Sequence, residues 1–177
     1  MKLRICLTGG IACGKSLFAR FLNEFGVATL DADDIVHELV PQDERRRLAK
    51  VVFADAAARK ELEARIHPLV RARLRAAGGN VVAVVPLVFE VGWEGDFDRI
   101  VCVASSPERQ LRRMMETRGL SEPEARARLA AQLPIAEKAA RSDEVVWNDG
   151  TAEELREKAR RFAAEFGGRD GRGSEER

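Results

Sequence analysis

One glycine-rich stretch near the start of the chain constrains its fold more than any other feature. Residues 9–16 fit the pattern G-x-x-x-x-G-K-[ST], follow an apolar run at 3–7, and precede a segment at 16–25 with apolar residues at helical spacing. A strand, a glycine loop and a helix in this order let main-chain N–H groups and the positive end of the helix surround an anion. The sequence therefore predicts a phosphate-binding loop, in which Lys15 reaches the outer phosphates and the hydroxyl of Ser16 holds Mg²⁺. The alternative is a glycine-rich turn that binds nothing.

The rest of the chain alternates between predicted strands and predicted helices. Continuous apolar runs at 81–85 and 100–104 are typical of central parallel strands that are covered on both faces. Further strands are predicted at 27–30 and 144–147. Together with residues 3–7 they indicate a three-layer α/β domain of the P-loop NTPase fold, with a five-stranded parallel sheet.

The intervening segments predict helices and one tail. Helices are expected at 33–40, 45–53, 54–66, 68–77, 107–117, 121–133, briefly after Pro134, and at 151–166. His67 precedes Pro68, which predicts an extended residue at a helix boundary. Residues 167–177 lose all periodicity, so we expect one domain at 1–166 followed by a disordered tail.

Charge and cysteine content exclude several classes of function. The chain has 30 basic and 29 acidic residues, a balance that gives no general attraction to nucleic acid or to a membrane surface. No apolar run approaches the length of a membrane-spanning helix, and the chain starts directly with a strand rather than a signal peptide. Its three cysteines have no metal-ligand spacing, which favours a reducing, cytoplasmic setting. Cys13, inside the loop, is interpreted as a small residue that fits a tight turn, or else as an oxidisable thiol.

Two aspartates follow the second predicted strand. Asp31 and Asp33 lie at its carboxyl end, and the glycine loop follows the carboxyl end of the first strand. In open α/β sheets these ends meet at one edge, where ligands bind. A carboxylate beside the terminal phosphate can orient a hydroxyl nucleophile and accept its proton. The sequence predicts that at least one of the two is catalytic, while the other could simply cap the next helix.

Further motifs, taken in order, resemble the dephospho-coenzyme A kinase family over most of residues 1–166. The match includes the lead-in to the loop, the Asp-Ala-Asp cluster, and the segment Pro-Leu-x-Phe-Glu that ends at Glu90. It continues through His67-Pro68, Arg118-Gly-Leu-Ser, Gln132, Lys138 and Asn148-x-Gly150. The resemblance implies transfer of the γ-phosphate of ATP, with Mg²⁺, to the ribose 3′-hydroxyl of dephospho-coenzyme A.

The resemblance also implies a role for each matched residue. It implies an acceptor-binding helical part at about 34–77 and a lid at about 118–134, which begins at Arg118. The catalytic residues would be Asp33, Lys15 and Arg118. Asp31, His67, Pro68, Leu87 and Glu90 would line the acceptor side. The ATP-binding residues would be Thr8, Gly9, Gly10, Ile11, Ala12, Cys13, Gly14, Lys15, Ser16, Leu17, Arg141 and Asn148.

The sequence departs from the family pattern at three places, and these keep alternatives open. The chain is short between Val40 and Arg46, Leu17 stands where a hydroxyl residue is usual, and Trp147 stands where an aspartate is usual. The shortening affects the acceptor side, so another small-molecule or nucleoside monophosphate kinase, or an ATP-binding relative without turnover, remains an alternative. Arg118 could be a helix C-terminal charge and His67 a structural cap. We expect a monomer.

Overall fold

The computed structural model describes residues 3–40, 56–77 and 81–170. Within these residues, β-strands alternate with α-helices along the chain. The strands are β1 (Ile5–Gly9), β2 (Ala28–Asp31), β3 (Val81–Val84), β4 (Arg99–Ala104) and β5 (Glu144–Trp147). The helices are α1 (Lys15–Glu24), α2 (Ala32–Leu39), α3 (Ala56–Ala76), α4 (Pro107–Arg118), α5 (Glu122–Ala130), α6 (Ile135–Ala140) and α7 (Ala152–Asp170). A single 3₁₀ turn, Glu94–Asp96, precedes β4.

The five strands form one parallel sheet in the order β2-β3-β1-β4-β5, which confirms the predicted fold class. The central strand β1 pairs with β3 on one side and with β4 on the other. Leu7 in β1 and Asp31 in β2 both pair with Val84 of β3. The carboxyl ends of these three strands are therefore level, and the segments that follow them emerge at the same edge of the sheet.

Two hydrophobic clusters, one on each face of the sheet, make the three layers. On one face, α1 and α7 pack Phe18, Leu22 and Phe162 against Ile5 and Leu7. On the other face, α2 and α3 contribute Ile35, Val70 and Leu74, which pack with Cys6 and Ala83. Because neighbouring residues of a strand point to opposite faces, strands covered on both sides are apolar throughout. This explains the uninterrupted apolar runs in the sequence.

The region around Pro68 differs from the prediction. The two helices predicted at 54–66 and 68–77 are one helix, α3, with Pro68 inside it, so His67 is helical rather than extended. A proline removes one main-chain hydrogen bond and crowds the preceding turn. Val70 and Leu74 are buried on one side of α3, four residues apart, and their packing favours continuing the helix past the proline.

The remaining differences concern the ends of elements and the undescribed segments. The helix predicted at 121–133 ends at Ala130. The last helix, α7, continues to Asp170 instead of ending at 166, so residues 167–170 are helical and not part of a tail. The helix predicted at 45–53 and the rest of the tail, 171–177, lie outside the described residues. Among the described helices, none combines the length and the apolar character needed to cross a membrane.

Candidate active site

The glycine loop closes tightly over the end of β4. Gly9 has a φ of 147°, and a Cβ atom there would overlap the carbonyl oxygen of Val103. Ala12 and Gly14 have φ values of 58° and 89°, so the chain turns twice through the left-handed region before α1 begins. Successive residues of this kind turn main-chain N–H groups toward one concave side and form an anion-binding nest.

The carbonyl oxygens of the loop are held by side chains that come from distant parts of the chain. Gln110 Nε2 donates to the Ile11 carbonyl at 2.7 Å, Arg113 donates to the Ala12 carbonyl at 3.2 Å, and Asn148 Nδ2 donates to the Cys13 carbonyl at 2.9 Å. Gln132 Oε1 accepts the Ile11 N–H at 3.1 Å. These bonds fix the direction of each peptide, so that the loop is organised before any anion arrives.

The first turn of α1 is left open to an anion. Gly14 caps it with no side-chain hydrogen bond, and the first turn contains no acidic residue. The first N–H groups of any helix have no partner within the helix, and the aligned peptide dipoles give this end a partial positive charge. Phosphate oxygens are therefore suitable partners for this helix end.

Lys15 extends from the loop over its own main chain. Its Nζ donates to the carbonyl oxygens of Gly9 and Gly10, both at 3.1 Å. Burial lowers the pKa of the Lys15 ammonium group. A multiply charged phosphate would favour the charged form of this ammonium group and oppose the effect of burial, so Lys15 is suited to an anionic ligand.

The two aspartates have different surroundings. Asp31 Oδ1 accepts the N–H of Asp33 at 2.8 Å and caps α2. Burial raises the pKa of the Asp31 carboxyl group. Asp33, two residues later, is exposed. The carboxylate of Asp31 is therefore engaged in capping α2, while the carboxylate of Asp33 is free to contact a ligand.

A cleft of about 500 Å³ unites these groups. Lys15, Ser16, Asp31 and Asp33 line it together with Pro86, and the loop forms its floor. Arg118 and Gln132, which stand before and after α5, also line it. The cleft thus brings two acidic side chains, one lysine, two arginines and an anion-binding loop around a single space.

A magnesium ion fits this donor set when phosphates supply most of its ligands. Ser16 is exposed and lines the same cleft as the two aspartates. Among the residues that the structure describes, no three carboxylate, histidine or cysteine side chains gather to hold a metal ion by themselves. This agrees with the usual behaviour of Mg²⁺, which binds through a few protein oxygens, substrate phosphates and water.

Sequence reasoning missed two side chains that shape the site. Arg113 lines the cleft and also donates to Ser105 Oγ at 3.0 Å and to the Asn148 carbonyl at 2.8 Å. Gln110 is almost completely buried under the loop. Both belong to α4, about a hundred positions from the loop, and no local pattern distinguishes them from the other polar residues of that helix. The run of basic residues in α4 was the only available signal.

Cys13 is buried in the loop, and that burial raises the pKa of its thiol. The nearby Lys15 favours the thiolate but is outweighed. A buried thiol with a raised pKa is a poor nucleophile at neutral pH. Its position favours the interpretation of Cys13 as a small residue that fits the turn.

Known sequences identify the family. A family model described as dephospho-CoA kinase matches residues 3–46 and 42–154. The dephospho-CoA kinase of Thermosynechococcus vestitus is 39% identical in an alignment of 181 positions that covers 86% of this chain and 89% of that relative. This chain belongs to the dephospho-CoA kinase family. The two matched segments overlap at residues 42–46.

Solved structures agree with this assignment. The dephospho-CoA kinase from Campylobacter jejuni is 26% identical with a TM-score of 0.71, over 96% of this chain and all of that one. A shikimate kinase from Bacteroides thetaiotaomicron has a TM-score of 0.61 at 18% identity, over 92% of this chain and 96% of that one, and shares the fold. The dephospho-CoA kinase family thus has the three-layer architecture seen here.

Several residues matched to the family pattern lie outside the described cleft. Thr8 is buried and donates through Oγ1 to the Pro86 carbonyl at 3.1 Å. His67 packs edge-on against Trp93, with ring centroids 5.2 Å apart. Arg141 pairs with Glu94 and lies over the ring of Phe89. The other residues in this group are Pro68 and Leu87, which are exposed, Asn148, which supports the loop from behind, and Glu90, which pairs with Lys138.

Proposed function

We propose that this chain transfers the γ-phosphoryl group of ATP to the ribose 3′-hydroxyl of dephospho-coenzyme A and releases coenzyme A and ADP. The observation that carries the proposal is the common cleft of Lys15 and Asp33. Phosphoryl transfer makes little covalent demand on a protein and depends on positioning and on charge neutralisation. The cleft can supply both the positioning and the charge neutralisation. Membership of the dephospho-CoA kinase family supports dephospho-coenzyme A as the acceptor.

Each group at the cleft has one task in this reaction. Asp33 accepts the proton of the attacking 3′-hydroxyl as the new O–P bond forms and the bond to the β-phosphate oxygen breaks. Lys15 and the loop N–H groups stabilise the negative charge that moves onto the leaving ADP. Ser16 would hold Mg²⁺, which neutralises phosphate charge when bound. Asp31 maintains the direction of α2 through its cap to Asp33.

We propose that residues 118–134 form a lid. Arg118 at the start of this segment and Gln132 near its end both line the cleft, while α5 between them packs on α4 and has only Ala125 buried. A lid that carries an arginine brings positive charge to the transferring group only when it closes, and closure excludes water from the reaction. The exposed guanidinium of Arg118 is consistent with this role.

We propose that the acceptor binds on the β2 and β3 side of the cleft, against the described helices α2 and α3. Asp31, Asp33 and Pro86 border that side. The ATP base would lie on the opposite side, toward β5. We further propose that the enzyme acts as a cytoplasmic monomer, in the compartment that supplies ATP.

The test is an acceptor panel with product identification. Purified protein with ATP and Mg²⁺ is given dephospho-coenzyme A, adenosine, AMP, shikimate or no acceptor, and ADP release is followed by a coupled assay. Among these acceptors, we expect acceptor-dependent ADP release with dephospho-coenzyme A alone. The mass of the product and its sensitivity to a 3′-nucleotidase should indicate a 3′-phosphate. Turnover with AMP or shikimate instead would contradict the proposed acceptor. ATP binding without any acceptor-dependent release would contradict the enzyme assignment.

A further inference from the structure

A completely buried lysine lies behind the cleft. Lys138, on α6, has no exposed side-chain surface. Its Nζ contacts Glu90 Oε1 at 2.6 Å and donates to the Pro86 carbonyl at 2.9 Å. Burying an ammonium group costs free energy unless it is paired and hydrogen-bonded, and here it is both. The side chain of Glu90 remains 20% exposed, so the pair lies at the boundary between core and surface.

This pair is bonded to two segments that border the cleft. The Pro86 carbonyl that accepts from Lys138 also accepts from Thr8, at the end of β1, and Pro86 itself lines the cleft. Glu90 Oε1 accepts the N–H of Leu133 at 3.2 Å. Leu133 follows Gln132, whose side chain holds the N–H of Ile11 in the phosphate-binding loop.

We propose that Glu90 and Lys138 are positioning residues: they anchor the end of the lid at Leu133 and the Pro86 wall to a single buried point. This inference rests on the proposed function, because it assumes that residues 118–134 close over the cleft. It assigns Glu90 a role behind the site rather than contact with the acceptor.

The space around α5 supports a lid that moves about this anchor. A cavity of about 450 Å³ lies between the C-terminal half of α5, the N-terminal part of α4 and Gly10 of the loop, and its lining is largely apolar, including Leu129, Leu133 and Ile135. A helix with such a space beneath it can shift while its C-terminal connection stays in place. Leu133, bonded to Glu90, is that connection.

An anchor of this kind affects closure more than ATP binding. ATP phosphates contact the loop, which keeps its other supports from Gln110, Arg113 and Asn148 when the anchor is removed. A displaced lid misaligns the transferring group and admits water. The expected signature is therefore a lower kcat at nearly unchanged KM for ATP, with a larger share of ADP released without acceptor.

The experiment compares Lys138→Met, Glu90→Ala and Glu90→Gln with two matched controls. Lys158→Met removes an exposed lysine that also donates to a main-chain carbonyl, and Glu137→Gln removes an exposed carboxylate from the same helix as Lys138. Turnover with dephospho-coenzyme A, ADP release without acceptor, and amide hydrogen exchange at Leu133 are measured for each. Glutamine at position 90 can still accept the Leu133 N–H, whereas alanine cannot.

We expect Lys138→Met and Glu90→Ala to lower kcat about tenfold with KM for ATP within about threefold of wild type. Both should raise the ratio of acceptor-free to acceptor-dependent ADP release and accelerate exchange at Leu133. Glu90→Gln should recover most of the Leu133 protection, and both controls should match wild type. Folded Lys138→Met and Glu90→Ala proteins with wild-type kcat and exchange would overturn the inference.

The remaining outcomes are also decisive. If Lys138→Met does not fold, the two Glu90 variants carry the test, and equal exchange at Leu133 in both would contradict the anchor. An inactive wild type would contradict the proposed function, while exchange at Leu133 would still decide whether Glu90 and Lys138 hold the end of the lid.

Discussion

The side-chain amide of Asn148 donates a hydrogen bond to the main-chain carbonyl of Cys13 across 2.9 Å, although the two residues are 135 positions apart. Asn148 is buried at the end of β5, and Cys13 lies inside the phosphate-binding loop. A Cβ atom on Gly14 would overlap this amide. The Asn148 side chain can therefore reach the Cys13 carbonyl only because residue 14 is a glycine. The last strand of the sheet therefore determines the shape of a loop that follows the first.

Asn148→Ala should both destabilise the protein and weaken ATP binding. It leaves the buried Cys13 carbonyl without its partner, which costs about 1–3 kcal/mol of unfolding free energy. The KM for ATP should rise because the loop is no longer held in place. Chemical denaturation and steady-state kinetics measure the two effects. Asn23→Ala, which removes an exposed amide bonded to Thr29, is the control and should leave the KM for ATP unchanged.

Gly9→Ala should prevent the loop from forming, since the new methyl group overlaps the Val103 carbonyl in the core of the sheet. Gly26→Ala is a matched control: its φ of 82° is also in the left-handed region, but nothing lies within 4 Å of the added atom. We expect the control to lose about 1 kcal/mol of stability and to remain active. Gly9→Ala should lose far more, and equal thermal midpoints for the two variants would be incompatible with the loop geometry.

Lys15→Met should lower kcat by about 100-fold or more, because it removes the cation that we propose neutralises the transferring phosphates. The variant also loses the hydrogen bonds to the Gly9 and Gly10 carbonyls, so we expect a folded protein with a lower thermal midpoint. Stopped-time ADP assays at saturating ATP measure the loss. Turnover equal to that of the Lys158→Met protein would show that this ammonium group has no part in the reaction.

Asp96 should stabilise the protein in a way that depends on pH. Hydrogen bonds from Arg71, and then from Arg75, lower the pKa of the Asp96 carboxyl group to about 2. Because this folded-state pKa lies below the unfolded value, the stabilisation is complete above about pH 4 and is lost as the pH falls toward 2. Asp96→Asn should therefore be about 2 kcal/mol less stable than wild type at pH 7, with the difference shrinking below pH 4. A difference that stays constant from pH 7 to 3 would contradict this ion pair.

The sequence was sufficient to predict the sheet, but not to predict the side chains that hold the loop and the lid in place. Strands covered on both faces have to be apolar at every position, so Val81–Val84 and Arg99–Ala104 were located within one or two residues. The helix around Pro68 was divided incorrectly because a local rule about proline was outweighed by the burial of Val70 and Leu74. Gln110, Arg113 and the Glu90–Lys138 pair depend on contacts between distant segments, which no local pattern records.

The most direct test of the account is turnover by the Asp33→Asn protein with ATP, Mg²⁺ and dephospho-coenzyme A. Asparagine keeps the size of the side chain but cannot accept the proton of the attacking hydroxyl. We predict that kcat falls about 100-fold or more while the affinity for ATP, measured by calorimetry, stays within about twofold of wild type. A normal kcat in this variant would contradict the assignment of Asp33 as the base and, with it, the proposed use of the cleft.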